Sequence, residues 1–210
     1  RYLPVPIEAA TDADCAALGE AAAGAGKECS DLVMLTVGAG VGGSVLLDGE
    51  LCQGKGIGGS ELGHMVIVEK GEPCTCGRRG CLEAYVSIPA LKRQAKEKTG
   101  QDMEAEEIFA KAAAGDPAMK ELLELYAERL GIGIVNIVNI FRPQMVLLGG
   151  EISRWAQMLL PSLRKSVEDG CFGREKGELP QIETAALGTD AGVIGAAGIL
   201  LRRENSRNTR

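Results

Sequence analysis

The only histidine of the 210-residue chain, His64, precedes a group of three closely spaced cysteines, Cys74, Cys76 and Cys81. Three thiolates and one imidazole form a Cys3His set, the kind that closes the tetrahedral coordination of a structural zinc ion. Two glycines inside the run C-T-C-G-R-R-G-C let a short loop turn sharply enough for the sulfurs to converge. The pattern therefore predicts a structural zinc site held by these four side chains.

Two other interpretations of the cysteines remain open at this point. Close thiols can be redox-active, or they can simply be buried as small apolar groups. Cys74 and Cys76 are too close in sequence for an easy mutual disulfide and the lone histidine lies at a fitting distance, so we favour the metal. Glu61 stands just before the histidine and Glu83 just after the last cysteine. A metal here would therefore hold two carboxylates close together.

The elements that must position this cluster alternate between strands and helices, which is typical of an α/β fold. A buried-strand pattern over residues 32–37 enters the segment G-A-G-V-G-G, a strand continues over residues 45–47, and Asp48-Gly49 predicts a type I′ hairpin turn. This arrangement fits a phosphate-binding hairpin, although a glycine-rich loop alone is equally typical of a tight turn. We also expect strands over residues 2–7 and 65–68, a helix break at Pro161 and a frayed tail after Arg202.

The composition argues against several classes of function. The net charge is −6 and no run of lysine and arginine stands out, which argues against nucleic-acid binding by this chain. No apolar run reaches membrane-spanning length, and 45% hydrophobic residues suffice for a sizeable core. Of the seven cysteines, three are assigned to the metal, and a reducing cytoplasm is the simplest setting for the others.

The runs E-L-G-H and C-T-C-G-R-R-G-C-L-E resemble the signature of the ROK family (repressors, open reading frames and kinases), and the similarity extends from about residue 4 to residue 201. The resemblance implies an actin-like ATPase fold of the hexokinase/ribonuclease H-like type, mainly its larger C-terminal lobe. The implied division is a remnant of the N-terminal lobe with a linking helix (1–30), a C-terminal lobe with the zinc loop (31–189) and a C-terminal helix packing back toward the N-terminal lobe (190–210).

The activity that this resemblance implies is ATP-dependent phosphorylation of a hexose, as in a glucokinase. The implied partners are a hexose or an amino sugar and MgATP as co-substrate, with zinc in a structural role. The resemblance also implies a homo-oligomer, either a dimer or a tetramer.

The resemblance assigns roles to individual positions as well. The family's N-D-A-N motif, which opens a helix and carries the catalytic base, is matched by T-D-A-D, so Asp12 matches the base, although its carboxylate could merely complement the helix dipole. The positions that match sugar-binding residues of the family are Thr11, Glu61, His64 and Glu83. The positions that match its nucleotide-binding glycines are Gly38, Gly40 and Gly42 in the second phosphate loop, and Gly149 and Gly150 in the adenosine-binding turn. From the sequence alone, Gly149 and Gly150 are equally typical of an ordinary turn between a strand and a helix.

Three departures from the family's pattern leave the function open. Thr11 replaces an asparagine, Ala39 replaces a threonine of the phosphate loop, and the first phosphate motif, D-x-G-x-T, does not occur. We therefore expect the sequence to be the C-terminal part of a longer protein, and the 210 residues alone to be a poor kinase or none. The alternatives to a kinase are the sugar-sensing domain of a ROK transcriptional repressor and a zinc-containing structural fragment without a ligand.

Overall fold

The computed structural model describes residue 7 and residues 9–54, 59–175 and 177–208. In these residues one sheet is built from the strands β1 (Leu32–Val37), β2 (Val41–Leu47), β3 (Glu50–Leu51), β4 (Met145–Gly149) and β5 (Gln181–Thr184). Their order in the sheet is β3-β2-β1-β4-β5. β1 pairs antiparallel with β2 and parallel with β4, and β4 pairs parallel with β5.

The helices cover both faces of this sheet, which confirms the predicted α/β class. They are α1 (Asp12–Ala23), α2 (Glu83–Val86), α3 (Ile88–Thr99), α4 (Ala105–Ala113), α5 (Pro117–Phe141), α6 (Ala156–Gly170) and α7 (Asp190–Asn208). Alternate residues of a strand point to opposite faces. Leu32 and Met34 of β1 accordingly pack in a core with α1 and α7, whereas Val33 and Leu35 pack in the larger core formed with α2 to α6. The described residues contain no helix with the length and apolar character needed to span a membrane.

Local hydrogen bonds and turn residues determine where several elements begin. The Thr11 hydroxyl accepts the N–H of Asp14 at 3.0 Å and so caps α1. Asp116 caps α5 by accepting two N–H groups, at 2.9 and 3.1 Å. The turn between β2 and β3 has Asp48 and Gly49 at φ 52° and 77°, which confirms the type I′ hairpin.

The prediction of a strand over residues 65–68 is wrong. The N–H groups of Ile67 and Val68 both donate to the single carbonyl of Gly80, and only Val66 forms an isolated bridge, with Cys81. Two donors converging on one acceptor curl the chain, so no ladder can extend from this segment. Residues 65–68 thus belong to the loop of residues 65–82, which contains the three clustered cysteines and is called the cysteine loop below, rather than to the sheet.

Two expectations about helices are also corrected. Pro161 lies inside α6 without ending it, because Leu159, Leu160 and Leu163 are buried in the larger core and this packing outweighs the one hydrogen bond that proline removes. α7 continues to Asn208 instead of ending near Arg202, since adding residues to an established helix is favourable. The strand expected over residues 2–7 lies outside the described residues apart from Ile7.

Candidate active site

The four predicted metal ligands lie together. Their ligand atoms are all within 4.8 Å of one another. His64 Nδ1 is 3.5 Å from Cys74 Sγ, and Cys76 Sγ is 3.7 Å from Cys81 Sγ. Zinc–sulfur bonds of about 2.3 Å and zinc–nitrogen bonds of about 2.0–2.1 Å place two ligands of a tetrahedron about 3.5–3.8 Å apart. The donor set and its spacing therefore fit a tetrahedral metal, with Nδ1 as the ligating nitrogen and Nε2 left as a donor.

Short turns bring these side chains together. His64 ends a 3-10 turn, Leu62–His64, which contacts β2. Gly77 and Gly80 adopt φ 85° and 80°, values that favour glycine, and they turn the cysteine loop as the sequence predicted. The Tyr85 hydroxyl accepts the N–H of Glu72 at 2.7 Å and anchors the beginning of the loop to α2.

The thiols differ in acidity. Burial, together with the neighbouring Cys76 and Cys74, raises the pKa of Cys81 to about 12. The pKa of Cys76 is lowered, chiefly by the backbone N–H of Arg78. Metal ligation requires deprotonated sulfur. A divalent cation would therefore stabilise Cys81 as a thiolate, which its buried position otherwise disfavours.

Glu83 connects the cysteine loop to the glycine-rich hairpin between β1 and β2. Its Oε1 accepts the Thr75 hydroxyl at 2.6 Å, and its Oε2 accepts the N–H of Val41 at 3.1 Å. Burial raises the pKa of the Glu83 carboxyl, but the Thr75 hydroxyl, the Val41 N–H and the charge of His64 lower it by more, so this pKa lies below its ordinary value. Glu83 is thus an anion fixed at the junction of two loops. The Glu61 side chain is exposed beside the 3-10 turn and makes no capping hydrogen bond.

The glycine hairpin fits closely between protein groups on both sides. A Cβ at Gly40 would lie 2.8 Å from Glu83 Oε2. A Cβ at Gly42 would lie 2.5 Å from Thr36 Oγ1 and 3.3 Å from Ala13 Cβ, at the beginning of α1. Positions two apart on a strand are separated by about 7 Å. The hairpin therefore brings the beginning of α1 and Glu83 to neighbouring positions of one segment.

The second pair of candidate glycines lies against the same hairpin. Gly150 has φ 78° and ψ −163°, and a Cβ there would lie 2.6 Å from the carbonyl oxygen of Val37. A Cβ at Gly149 would collide with the Met34 side chain. A Cβ at Gly38, in contrast, would have nothing closer than the N–H of Glu151 at 3.9 Å. The two glycine segments, remote in sequence, therefore meet at the ends of β1 and β4.

Asp12 and Gly150 lie at the wall of a cavity of about 480 Å³. The Asp12 side chain is exposed, and its Oδ1 accepts the N–H of Ala13 at 2.9 Å. The cavity wall also includes residues that sequence reasoning missed: Thr36, Ser153, Arg154, Gly188 and Thr189. Thr36 could have been suspected because it directly precedes the glycine segment. Arg154, which lies over the Trp155 ring at 5.6 Å, has no distinguishing sequence signal.

The structure thus brings the predicted residues together in three groups that adjoin one another. His64 and Glu83 lie at the cysteine loop, Gly40 and Gly42 lie at the hairpin, and Asp12 lies at the cavity. Thr11, the residue before Asp12, uses its hydroxyl oxygen as the cap of α1. Its hydroxyl proton remains available as a donor.

Known proteins are similar to this chain over most of its length. The family model of the ROK family matches residues 1–203. The glucokinase of Halalkalibacterium halodurans is 32% identical over 219 residues, which cover 97% of this chain and 66% of that protein. The xylose repressor of Caldicellulosiruptor bescii is 32% identical over 212 residues, which cover 95% of this chain and 52% of the repressor.

A solved structure is similar over most of the fold. The ROK family glucokinase from Streptomyces griseus, in complex with glucose and AMPPNP, has a TM-score of 0.85 at 31% identity, covering 93% of this chain and 68% of that one. This similarity confirms the predicted actin-like ATPase fold. The chain spans between about half and two thirds of the length of the relatives named above.

Proposed function

Since the chain belongs to the ROK family, we propose that the full-length protein is a sugar kinase that transfers the γ-phosphoryl group of MgATP to a hexose, as a glucokinase does. One observation carries the proposal. The glycine hairpin contacts Ala13, next to the candidate base, at Gly42 and contacts the candidate sugar ligand Glu83 at Gly40. Phosphoryl transfer depends mainly on positioning an acceptor hydroxyl, a base and a phosphate chain relative to one another.

The candidate residues take complementary parts in this reaction. Asp12 accepts the proton of the attacking sugar hydroxyl. The Glu83 carboxylate accepts hydrogen bonds from sugar hydroxyls, and its lowered pKa keeps it ionised for charge-assisted bonds. Glu61 and the Nε2 atom of His64 add an acceptor and a donor. The Thr11 hydroxyl oxygen already accepts the N–H of Asp14, so Thr11 can offer the sugar only its hydroxyl proton, as a donor.

Zinc in this protein is structural. Cys74, Cys76, Cys81 and His64 Nδ1 would hold it, and the spacing of these atoms supports that assignment. When bound, the ion would fix the cysteine loop between His64 and Glu83. The chain's own groups supply the chemistry.

The nucleotide occupies the side of the cavity that Gly150 lines. The backbone at Gly38 faces space that a phosphate could use, and the Gly149–Gly150 turn takes the adenosine. The AMPPNP in the Streptomyces griseus glucokinase supports an adenine nucleotide here. We expect a homo-oligomer, a dimer or tetramer, in the cytoplasm, where a reducing environment keeps the thiols free for metal.

The second candidate is the sugar-sensing domain of a ROK repressor. Two observations favour it: Ala39 lacks the hydroxyl of the family's phosphate loop, and the similarity to the xylose repressor is as extensive as that to the glucokinase. A repressor of this kind would bind the sugar without phosphorylating it.

The test uses the full-length protein, because the 210 residues lack D-x-G-x-T and we expect them alone to be a poor kinase or none. ADP formation is measured with MgATP and a panel of hexoses and amino sugars, together with sugar binding by calorimetry. Sugar-dependent ADP formation is the expected result. Saturable sugar binding without turnover would establish the repressor interpretation, and the absence of both would contradict either function.

A further inference from the structure

Glu20, near the end of α1, is a buried carboxylate with no role in the function described so far. Its side chain is 0% exposed. Oε1 accepts the N–H of Leu187 at 2.7 Å, and Oε2 accepts the N–H of Ala25 at 2.8 Å. A buried carboxylate is costly unless it is hydrogen-bonded, and bonds to an ionised acceptor are the strong kind. The hydrogen bond from Leu187 joins residues that lie 167 positions apart in the sequence.

The surroundings of Glu20 are closely packed. A Cβ at Gly24 would collide with Oε2 of Glu20, so a glycine makes room for the carboxylate. α1 and α7 approach each other backbone to backbone, because a Cβ at Gly19 would collide with the Ala191 backbone and a Cβ at Gly195 with the Cys15 backbone. The carboxylate therefore has little space to move into, and α1 and α7 are held close to each other.

The segment bound by Glu20 leads directly into the cavity. Leu187 is held at both of its backbone groups, since Glu20 accepts its N–H and its carbonyl accepts the N–H of Asp190 at 3.1 Å. The two residues between them, Gly188 and Thr189, line the same cavity as Asp12 and as Gly150 of the proposed adenosine-binding turn, and so lie on its nucleotide side. Asp12 and Glu20 lie on one helix, about 12 Å apart at 1.5 Å per residue.

We propose that Glu20 is a positioning residue that fixes the 187–189 segment relative to α1, and thereby sets the separation between the nucleotide side of the cavity and Asp12. This inference rests on the proposed kinase function. Glu20 touches no substrate and acts through the backbone of Leu187. Its removal changes nucleotide binding and leaves the sugar ligands on the cysteine loop in place.

The test is Glu20→Gln in the full-length protein. The amide keeps the shape of the side chain, but its NH2 group faces an N–H donor, so one of the two hydrogen bonds is lost. We expect the Kd for AMPPNP and the KM for ATP to rise about tenfold, which corresponds to about 1.4 kcal/mol. The Kd for hexose should stay within about twofold. Hydrogen exchange should be at least about tenfold faster at whichever of the Leu187 and Ala25 amides faces the new NH2 group.

Two further variants separate positioning from general stability. Asp14→Asn changes another buried carboxylate of the same helix, one that accepts the Ser44 hydroxyl at 2.8 Å and does not contact the 187–189 segment. It should lower the melting temperature without the rise in Kd for AMPPNP. Gly24→Ala keeps the charge of Glu20 but displaces its carboxylate. It should reproduce the weaker AMPPNP binding, and it tests the proposal if Glu20→Gln does not fold.

The outcomes are distinguishable. Suppose that the wild-type protein binds hexose and AMPPNP, and that Glu20→Gln or Gly24→Ala binds AMPPNP equally well. That result overturns the positioning role of Glu20 and leaves the proposed kinase function standing. Equal weakening of hexose and nucleotide binding also overturns it, because that result indicates a general loss of structure. Wild-type protein that binds no adenine nucleotide overturns the proposed kinase function and this assignment with it.

Discussion

Replacing Asp12 with asparagine separates catalysis from structure at the beginning of α1. The side chain is exposed at the cavity wall, and among the described residues its Oδ1 accepts only the N–H of Ala13, at 2.9 Å. The capping of the helix is performed by Thr11, whose hydroxyl accepts the N–H of Asp14. The asparagine side chain would keep an oxygen acceptor and nearly the same size, but it could not take a proton at neutral pH.

The two possible roles of Asp12 predict effects of different size. If Asp12 is the general base, Asp12→Asn lowers kcat by about 10² to 10⁴, which corresponds to about 2.7–5.4 kcal/mol of activation free energy. If Asp12 only complements the helix dipole, the variant lowers the free energy of unfolding by less than about 1 kcal/mol and leaves kcat nearly intact. The structure indicates that the Asp12 side chain contributes little to the stability of α1, because Thr11 and not Asp12 caps the helix.

The assay measures kcat, the Kd for hexose and the melting temperature on one preparation of the full-length protein. The Kd for hexose should change by less than about threefold, since Glu83 and the neighbouring cysteine loop are unchanged in the variant. Asp116→Asn is the matched control: it makes the same chemical change at the beginning of α5, where the carboxylate accepts two N–H groups away from the cavity residues. Normal turnover of Asp12→Asn would refute the assignment of the base.

Three further predictions follow from contacts around the site. Cys76→Ser should reduce the zinc content, measured by elemental analysis, from about one ion per chain to almost none, and should lower stability and hexose affinity together; metal-free wild type with a folded loop would contradict this. Gly40→Ala should raise the Kd for hexose about tenfold, because its Cβ would displace Glu83, whereas Gly192→Ala, where a Cβ meets nothing within 4 Å, should not. Thr11→Asn should keep the cap and lower the Kd for hexose about threefold to tenfold by adding amide donors, with an unchanged melting temperature; an unchanged Kd would exclude the position from the sugar site.

The sequence predicted those parts of the site that depend on short spacings. The Cys3His set converges because its glycines allow a tight loop, and the caps at Thr11 and Asp116 depend on groups within three residues. Hairpin β2–β3 follows from Asp48-Gly49 in the same way. Local interactions of this kind can be predicted without knowledge of the rest of the chain.

Contacts between distant segments could not be predicted. The bond from Val41 to Glu83 joins residues 42 positions apart, and that from Leu187 to Glu20 joins residues 167 positions apart. Neither partner carries a local signal, because an exposed and a buried carboxylate look alike in a sequence. The error over residues 65–68 has the same origin. A strand needs a partner strand, and this segment pairs across the loop only with residues 80–82, through one isolated bridge and three backbone hydrogen bonds.

The glycine hairpin shows how far one motif can be interpreted from sequence. Glycines at Gly38, Gly40 and Gly42 suggest equally that a ligand approaches the backbone at each position. At Gly40 and Gly42, however, the space of a missing Cβ is taken by protein atoms, Glu83 Oε2 and Thr36 Oγ1. Only Gly38 of the three has room for a ligand, and Ala39 beside it is exposed. The departure at Ala39 therefore alters what a phosphate would meet without disturbing the packing that joins α1 to the cysteine loop, and so a kinase and a sugar sensor can share this hairpin.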